Sequence, residues 1–571
     1  MNFRIISSYL GLVATLMGVA MLLCVPWAIP YWDGGANELR GVYALVKSSL
    51  ISFAVGLAFI LLSRNTTRRE PFLREAMAGV GLCWFLAIIL GAMPFLLANV
   101  QRDVGEPIGI CDAIFESASG LTTTGGTIFG ELEDPELLPK TILFWRGQTH
   151  FIGGLGIICL FVLFMGQGGA VGGKAILKVE HIFSENMPFS KMRQVAKSLL
   201  SVYLALCLGC ILWLIACGAS LYDALYHSFS VVSLGGFSSH NASVAYFSAD
   251  PNVNGPMVET GLILFMILSG TNFFLLYWVA LRKPQKLFRD FEWRLFITAL
   301  FMTAAISTCS GYFKGDFQAP RGATVAETTE IARDALEGSE PDQRTADVAT
   351  SADDGVDGAP KVRAKFGAVA IRLVSAFRSS LFHTTSLATG AGLIADQYEL
   401  WNSTSVILLL SLMFMGACSG STAGGVKVYR VWLAFSSLAR EAERRYRPSL
   451  VRVTKVNGEF VARETSNAAI RYIVAFAGLI LLTTLVVVSI EPDHAWRSYD
   501  HYSMEKVVDL GTGTLAMFAN VGAAFGEFGS QGNYGGLTNL TKLIFSWAMV
   551  VGRLEIWCVL ALFSPRFWSN R

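Results

Sequence analysis

The sequence predicts an all-α membrane protein: four repeats of helix–pore loop–helix around a central pore, plus an N-terminal transmembrane helix pair. Three observations carry this expectation. The 571 residues are 53% hydrophobic and only 15% charged, with a mean hydropathy of +0.49, whereas soluble domains are about a quarter charged. A cap-helix-glycine pattern recurs four times in register. Basic residues gather between the repeats and acidic residues gather beside the pore loops.

The first apolar segment, about Ile5 to Ile29, is too long for a signal-peptide core, and a second follows near Leu45–Leu62. Residues 1–63 are therefore expected to be a retained helix pair. Arg64, Arg68, Arg69 and Arg74 then mark a cytoplasmic loop.

The recurring pattern is clearest from Asp112 to Thr127, DAIFESASGLTTTGGT. Aligning the chain on Gly125, Gly236, Gly392 and Gly522 recovers it four times. Thirteen residues before these glycines stand Asp112, Asp223, Ser379 and Asp509, expected as helix N-caps. Ten before stand Phe115, Tyr226 and Phe382, with Thr512 the exception. Six before stand Ser119, Ser230, Ser386 and Ala516. Each short helix would run into a tail that cannot stay helical.

A helix C-terminus carries roughly half a negative charge, so four ends aimed at one point stabilise a cation without a carboxylate. The tails can turn backbone carbonyls inward to replace a cation's hydration shell. The expected filter is Thr122, Thr123, Thr124 and Gly125; Ser233, Leu234, Gly235 and Gly236; Thr389, Gly390, Ala391 and Gly392; and Ala519, Asn520, Val521 and Gly522. A single copy reads as well as a glycine-rich connection in a membrane bundle. Four copies in register favour the filter, because irregular backbone at membrane depth must be shielded or line water.

Around the tails we draw pore repeats over residues 72–165, 198–281, 293–433 and 467–563. Residues 315–363, inside repeat three, are too polar to bury much surface and are expected to be a flexible insertion.

Lys174, Lys178, Lys191 and Arg193 lie between repeats one and two. Arg282, Lys283, Lys286, Arg289 and Arg294 follow repeat two, and Arg440, Arg444, Arg445, Arg447, Arg452 and Lys455 follow repeat three. Asp103, Glu106, Glu131, Glu133, Asp134 and Glu136 sit on the other side. The basic loops are thus expected inside, with the filter mouth facing outside. The acidic residues either concentrate cations there or form an ordinary solvated surface.

Other motifs carry less. Gly168 to Lys174 satisfies GxxxxGK, but Ala175 replaces the magnesium-binding Ser/Thr and no strand precedes it, so no nucleotide is expected on this chain. Cys207 and Cys210 form a CxxC inside the run LALCLGCILWLIACG, unsuited to zinc or redox work. The net charge of +2 points to no nucleic-acid partner. His227 and His383, nine residues before their glycines, lack metal-ligand spacing and read as packing or hydrogen-bonding groups.

The second span of repeat three is interrupted at LMFMGACSGSTAGGVKVYR. Ser419, Gly420, Ser421, Thr422, Gly424, Gly425 and Lys427 mark a candidate gate there. Arg553 and Glu555 lie within the last span. They read either as a structural pair or as a positive group barring a cation path.

These residues resemble the Trk/Ktr/HKT superfamily, and most closely the bacterial TrkH-type potassium uptake subunit. The resemblance rests on Gly120-Leu121-Thr122-Thr123-Thr124-Gly125, Gly153-Gly154-Leu155-Gly156-Ile157, Gly235-Gly236-Phe237-Ser238, Gly420 to Lys427 and Gly552-Arg553-Leu554-Glu555. It covers nearly the whole chain apart from the insertion. It implies K+ as the transported ion, held at the filter residues, and a multi-pass protein of the cytoplasmic (inner) membrane, in contact with membrane lipid. It also implies a homodimer and a cytosolic TrkA-type nucleotide-binding regulatory subunit, but no enzyme activity. Gly125 at the first filter position implies potassium preference, and Arg553 matches the family's pore-closing arginine.

The chain departs from the pattern at Ala388-Thr389-Gly390-Ala391-Gly392, where ATTTG is usual, and at Gly522-Ala523-Ala524, where Gly-Pro-Gly is common. Both changes keep backbone carbonyls, and the first removes side-chain oxygens near the inner sites. The alternatives are a weakly selective Na/K pathway on the same scaffold or, from another class, a non-conducting assembly subunit. A secondary transporter with paired repeats would not predict four pore elements of one orientation.

Overall fold

The structure is a computed structural model that describes residues 2–34, 36–64, 73–165, 192–314, 358–448, 454–493, 496, 502–554 and 556–569. The GxxxxGK stretch, most of the polar insertion and Glu555 lie outside these residues.

The chain is helical, with two small antiparallel ribbons at residues 101–107 and 455–460 among the described residues. A helical hairpin, α1 (Phe3–Cys24) and α2 (Ala36–Ser63), precedes the repeating part. The first repeat is α3 (Leu73–Leu97), the short α4 (Ile110–Leu121) and α5 (Lys140–Met165). The second is α6 (Met192–Ala216), α7 (Leu221–Ser233) and the broken pair α8 (Gly255–Gly270) and α9 (Phe273–Ala280). The third is α10 (Phe291–Lys314), α11 (Gly358–Thr389) and α12 (Ser403–Met415), with α13 (Val428–Tyr446) after a break. The fourth is α14 (Arg463–Ile490), α15 (Tyr502–Ala519), α16 (Asn539–Leu554) and α17 (Ile556–Leu562).

Six described helices are long and apolar enough to cross a membrane, or seven if α8 and α9 count as one span. Each repeat contributes its first helix to that set, and the N-terminal hairpin supplies the other two. The α8–α9 pair bends by 106°, a break that the continuous apolar run GLILFMILSGTNFFLLYWVA conceals. Asn272 explains it: its side chain accepts from Phe274 N and caps a new helix within the apolar run.

Helix starts correct one expectation. Asp112 and Asp223 are not N-caps: they stand in the first turns of α4 and α7. Asp112 accepts from the Gly109 amide at 2.9 Å, and Ser220 caps α7 by accepting from Asp223 N. Ser379 and Asp509 lie well inside α11 and α15, which begin earlier than their caps would require. An acid in the first turn serves the helix dipole as well as an acid at the cap, so sequence alone does not separate the two.

Phe115, Tyr226 and Phe382, at matching positions of the first three pore helices, are fully buried. The four helices end at Leu121, Ser233, Thr389 and Ala519, three or four residues before the four aligned glycines.

Candidate functional site

The four tails share one backbone conformation. Gly125, Gly236, Gly392 and Gly522 all have positive φ, at +87°, +87°, +61° and +76°. So do the residues two places earlier, Thr123 (+52°), Leu234 (+59°), Gly390 (+80°) and Asn520 (+53°). Three of these are not glycine, and left-handed backbone at such residues persists only where the surroundings impose it.

The glycines close a ring. A methyl group built on Gly125 would overlap the carbonyl oxygen of Gly235; on Gly236 it would lie 2.6 Å from that of Ala391. On Gly392 it would overlap the Val521 carbonyl, and on Gly522 the Thr124 carbonyl. Each contact is made to the residue just before the next glycine, and the fourth returns to the first. A ring of backbone oxygens with four helix C-termini behind it can replace the hydration shell of a monovalent cation.

Hydroxyls beside the ring serve the helices. Thr122, Ser233 and Thr389 donate to the carbonyls of Ala118, Phe229 and Thr385 at 2.6, 2.7 and 2.8 Å. Ala519, at the same position in repeat four, therefore forfeits only a bond within its own helix.

Each of the first three pore helices also pins the segment beyond its filter from one shared position, nine residues before the glycine. Glu116 accepts from Thr127 Oγ1 (3.0 Å) and the Ile128 amide (3.0 Å). His227 bonds Ser238 Oγ at 3.0 Å, and His383 accepts from the Asp396 amide at 3.2 Å. The two histidines are thus hydrogen-bonding groups. The fourth repeat has Gly513 there, and Tyr534 instead donates to the Gly522 carbonyl at 2.7 Å.

Several residues outside the motifs hold the ring. Arg146 is 2% exposed and donates to Glu116 (2.6 Å), the Ser238 carbonyl (2.9 Å) and Tyr226 (2.9 Å), with its guanidinium over Phe237. Lys542 donates to Asp112 at 2.5 Å, tying α16 to the first pore helix. His150 bonds the Gly120 carbonyl through Nδ1 (2.8 Å) and accepts from Phe237 N through Nε2 (3.1 Å), as a neutral imidazole protonated at Nδ1 would. The shared offset of Glu116, His227 and His383 was the available signal; Arg146, Lys542 and His150 left none.

Beyond the filter, Asp223 accepts from Ser220 and Ser239 at 2.7 Å and from His240 at 3.1 Å. Burial alone would raise its carboxyl, but the His240 and Ser220 bonds and nearby His227 hold it well below the usual carboxylate range. Glu133 approaches the other nitrogen of His240 at 3.4 Å, and Asn241 donates to Glu131 at 2.7 Å. These acids knit the post-filter loops of repeats one and two together.

At the other end of the filter lies the irregular loop between α12 and α13. Gly416, Gly420 and Gly425 have positive φ there. The Ser419 amide and hydroxyl donate to Glu292 at 2.7 and 3.0 Å, and Ser421 donates to the Cys418 carbonyl at 2.6 Å. Thr422 Oγ1 donates to the Val232 carbonyl at 3.1 Å. Lys427 Nζ donates to the Ala423 carbonyl at 2.6 Å. The Arg553 guanidinium, 4% exposed, donates to the carbonyls of Thr422 and, at 3.2 Å, Gly153. The candidate gate residues and Arg553 are thus assembled below the ring. Among the described residues no carboxylate pairs with Arg553.

The profile described as "TrkH: Cation transport protein" matches residues 47–306 and 365–570. The chain belongs to the TrkH family of cation transport proteins. It is similar to the Trk system potassium uptake protein TrkH of Salmonella typhimurium, 28% identical over 573 residues and covering 100% of both chains. TrkG of Escherichia coli K12, also named a Trk system potassium uptake protein, is 27% identical, covering 100% of this chain and 99% of TrkG. The crystal structure of the potassium transporter TrkH from Vibrio parahaemolyticus matches with a TM-score of 0.75, 26% identity and full coverage of both chains. The all-α, four-repeat architecture is the one expected of a TrkH-family chain.

Proposed function

We propose that this chain carries potassium ions across the cytoplasmic membrane through the ring of filter carbonyls, with the loop from Ser419 to Lys427 and Arg553 as its gate. One observation supports the reading: each filter glycine packs on the carbonyl that precedes the next, so the four tails close into one ring of backbone carbonyls. The names of the relatives, all potassium uptake proteins of a Trk system, support potassium as cargo.

In this reading Thr122–Gly125, Ser233–Gly236, Thr389–Gly392 and Ala519–Gly522 coordinate the ion. Arg553 places a fixed positive charge on the route while it holds Thr422. The basic loops lie in the cytoplasm and the filter mouth opens outside. The chain works as a homodimer with a cytosolic TrkA-type regulatory subunit that binds the nucleotide, which accords with the multi-component naming of the relatives.

A weakly selective Na/K pathway is the second reading, favoured by Ala391 standing where the family's pattern carries a hydroxyl. Flux from liposomes of purified protein, compared for potassium, rubidium, sodium and lithium, separates the two. Potassium and rubidium flux well above sodium supports the main reading, and equal potassium and sodium flux supports the second. No cation flux, with the regulator added, overturns both.

A further inference from the structure

Asn520 touches the filter and the gate at once. Its side chain is 1% exposed, and Nδ2 donates to Thr124 Oγ1 at 2.8 Å and to the Met549 carbonyl at 2.9 Å. Its Oδ1 is buried with no hydrogen-bond partner. Orphaned buried acceptors are costly and rare in folded proteins, so this one sits where another requirement holds it.

The surroundings of that oxygen identify the requirement. The three atoms nearest a methyl group built on Gly424, in the loop, would all belong to Asn520, with Cβ at 2.8 Å and Cγ at 2.9 Å and Oδ1 closer still. One built on Gly552 would meet Oδ1 at 2.7 Å. Gly552 directly precedes Arg553, and Arg553 grips Thr422, two residues before Gly424. A single amide therefore contacts the filter of repeat one, the helix that carries the arginine, and the loop that the arginine holds.

We propose that Asn520 couples loop position to ion selection: the seated loop presses its amide onto Thr124, and loop withdrawal releases it. This inference rests on the pore reading above. When Gly424 moves away, Oδ1 gains room and water, the bond to Thr124 loosens, and the seam between repeats four and one relaxes. Ion selectivity then differs between the loop-seated and loop-withdrawn forms. The side chain of Asn520 has a positioning role here, acting through the Thr124 hydroxyl.

The test is the potassium-to-sodium flux ratio in liposomes for the unaltered protein, Gly424→Ala, Asn520→Gly and the double variant. An unaltered protein that conducts no cation, with the regulator added, would count against the pore reading, independently of the coupling. Gly424 faces the Asn520 side chain, and its alanine is expected to lower the ratio about tenfold by pushing on that side chain. Asn520→Gly removes the Cβ, Cγ and Oδ1 atoms nearest that methyl group, so the double variant should be no less selective than Asn520→Gly alone. A ratio unchanged in Gly424→Ala, or losses that multiply in the double variant, would overturn the coupling. Should Gly424→Ala fail to assemble, Thr124→Val removes the hydroxyl that Asn520 and Thr122 share. Its ratio should fall as in Asn520→Gly, and an unchanged ratio would overturn the proposal.

Discussion

Gly522, near the end of the chain, lies so close to the carbonyl of Thr124 that no side chain fits between them. The last repeat thereby closes onto the first, and the ring becomes a mutual constraint among four segments far apart in sequence. Each glycine needs both its positive φ and its missing Cβ.

Substitution of a ring glycine should therefore fail twice over. Gly236→Ala is expected to cost about 1–3 kcal/mol in backbone strain alone and to abolish most flux. Gly478→Ala is the control: it lies in α14, and a methyl group there meets nothing within 4 Å. Potassium flux and melting temperature, measured together, should fall for the first variant and hold for the second.

The Arg146–Glu116 pair is buried on both sides, at 2% and 0% side-chain exposure. Removing one partner leaves a charge without compensation, a loss of about 3–5 kcal/mol. Arg146→Met should thus lower the melting temperature sharply and impair filter order. The double variant Arg146→Met with Glu116→Met should recover part of that loss. A thermal-stability cycle over the four proteins checks the coupling.

Arg553 bridges the loop and α5 through two carbonyls. Arg553→Gln keeps some hydrogen bonding but removes the charge from the route. Basal potassium flux without any regulator should rise about tenfold or more, as expected for loss of roughly 1.4 kcal/mol of closing energy. Flux that stays at the unaltered level would remove Arg553 from the gate.

Asp223 gives a pH signature. Its carboxyl lies below the usual range, so the stability it contributes is present above the ordinary value of about 3.9 and lost as pH falls toward the folded value. The melting temperature of the unaltered protein should drop as pH is lowered from about 5 to 3. Asp223→Asn should start lower and change less over that window.

Much of the architecture was legible in the sequence because it rests on local signals. Four glycines in register, the helix-breaking tails and the hydroxyl-rich interruption after Met415 are each visible without tertiary context. The left-handed backbone of Thr123, Leu234 and Asn520 was not, since nothing local in a Thr, Leu or Asn demands it; packing around the ring does. The 106° break between Gly270 and Phe273 was hidden because a single Asn cap sits within an apolar run. Arg146 and Lys542 escaped for a different reason. Their partners, Glu116 and Asp112, lie on another helix, and such pairing has no period in the sequence.

The central claim is that the four carbonyls of Thr124, Gly235, Ala391 and Val521 surround a cation. Rubidium or thallium density in a structure of the purified protein tests it most directly. The account predicts density on the axis among those four oxygens, lost when sodium replaces the heavier ion. Density elsewhere, with that ring empty at saturating rubidium, would contradict it.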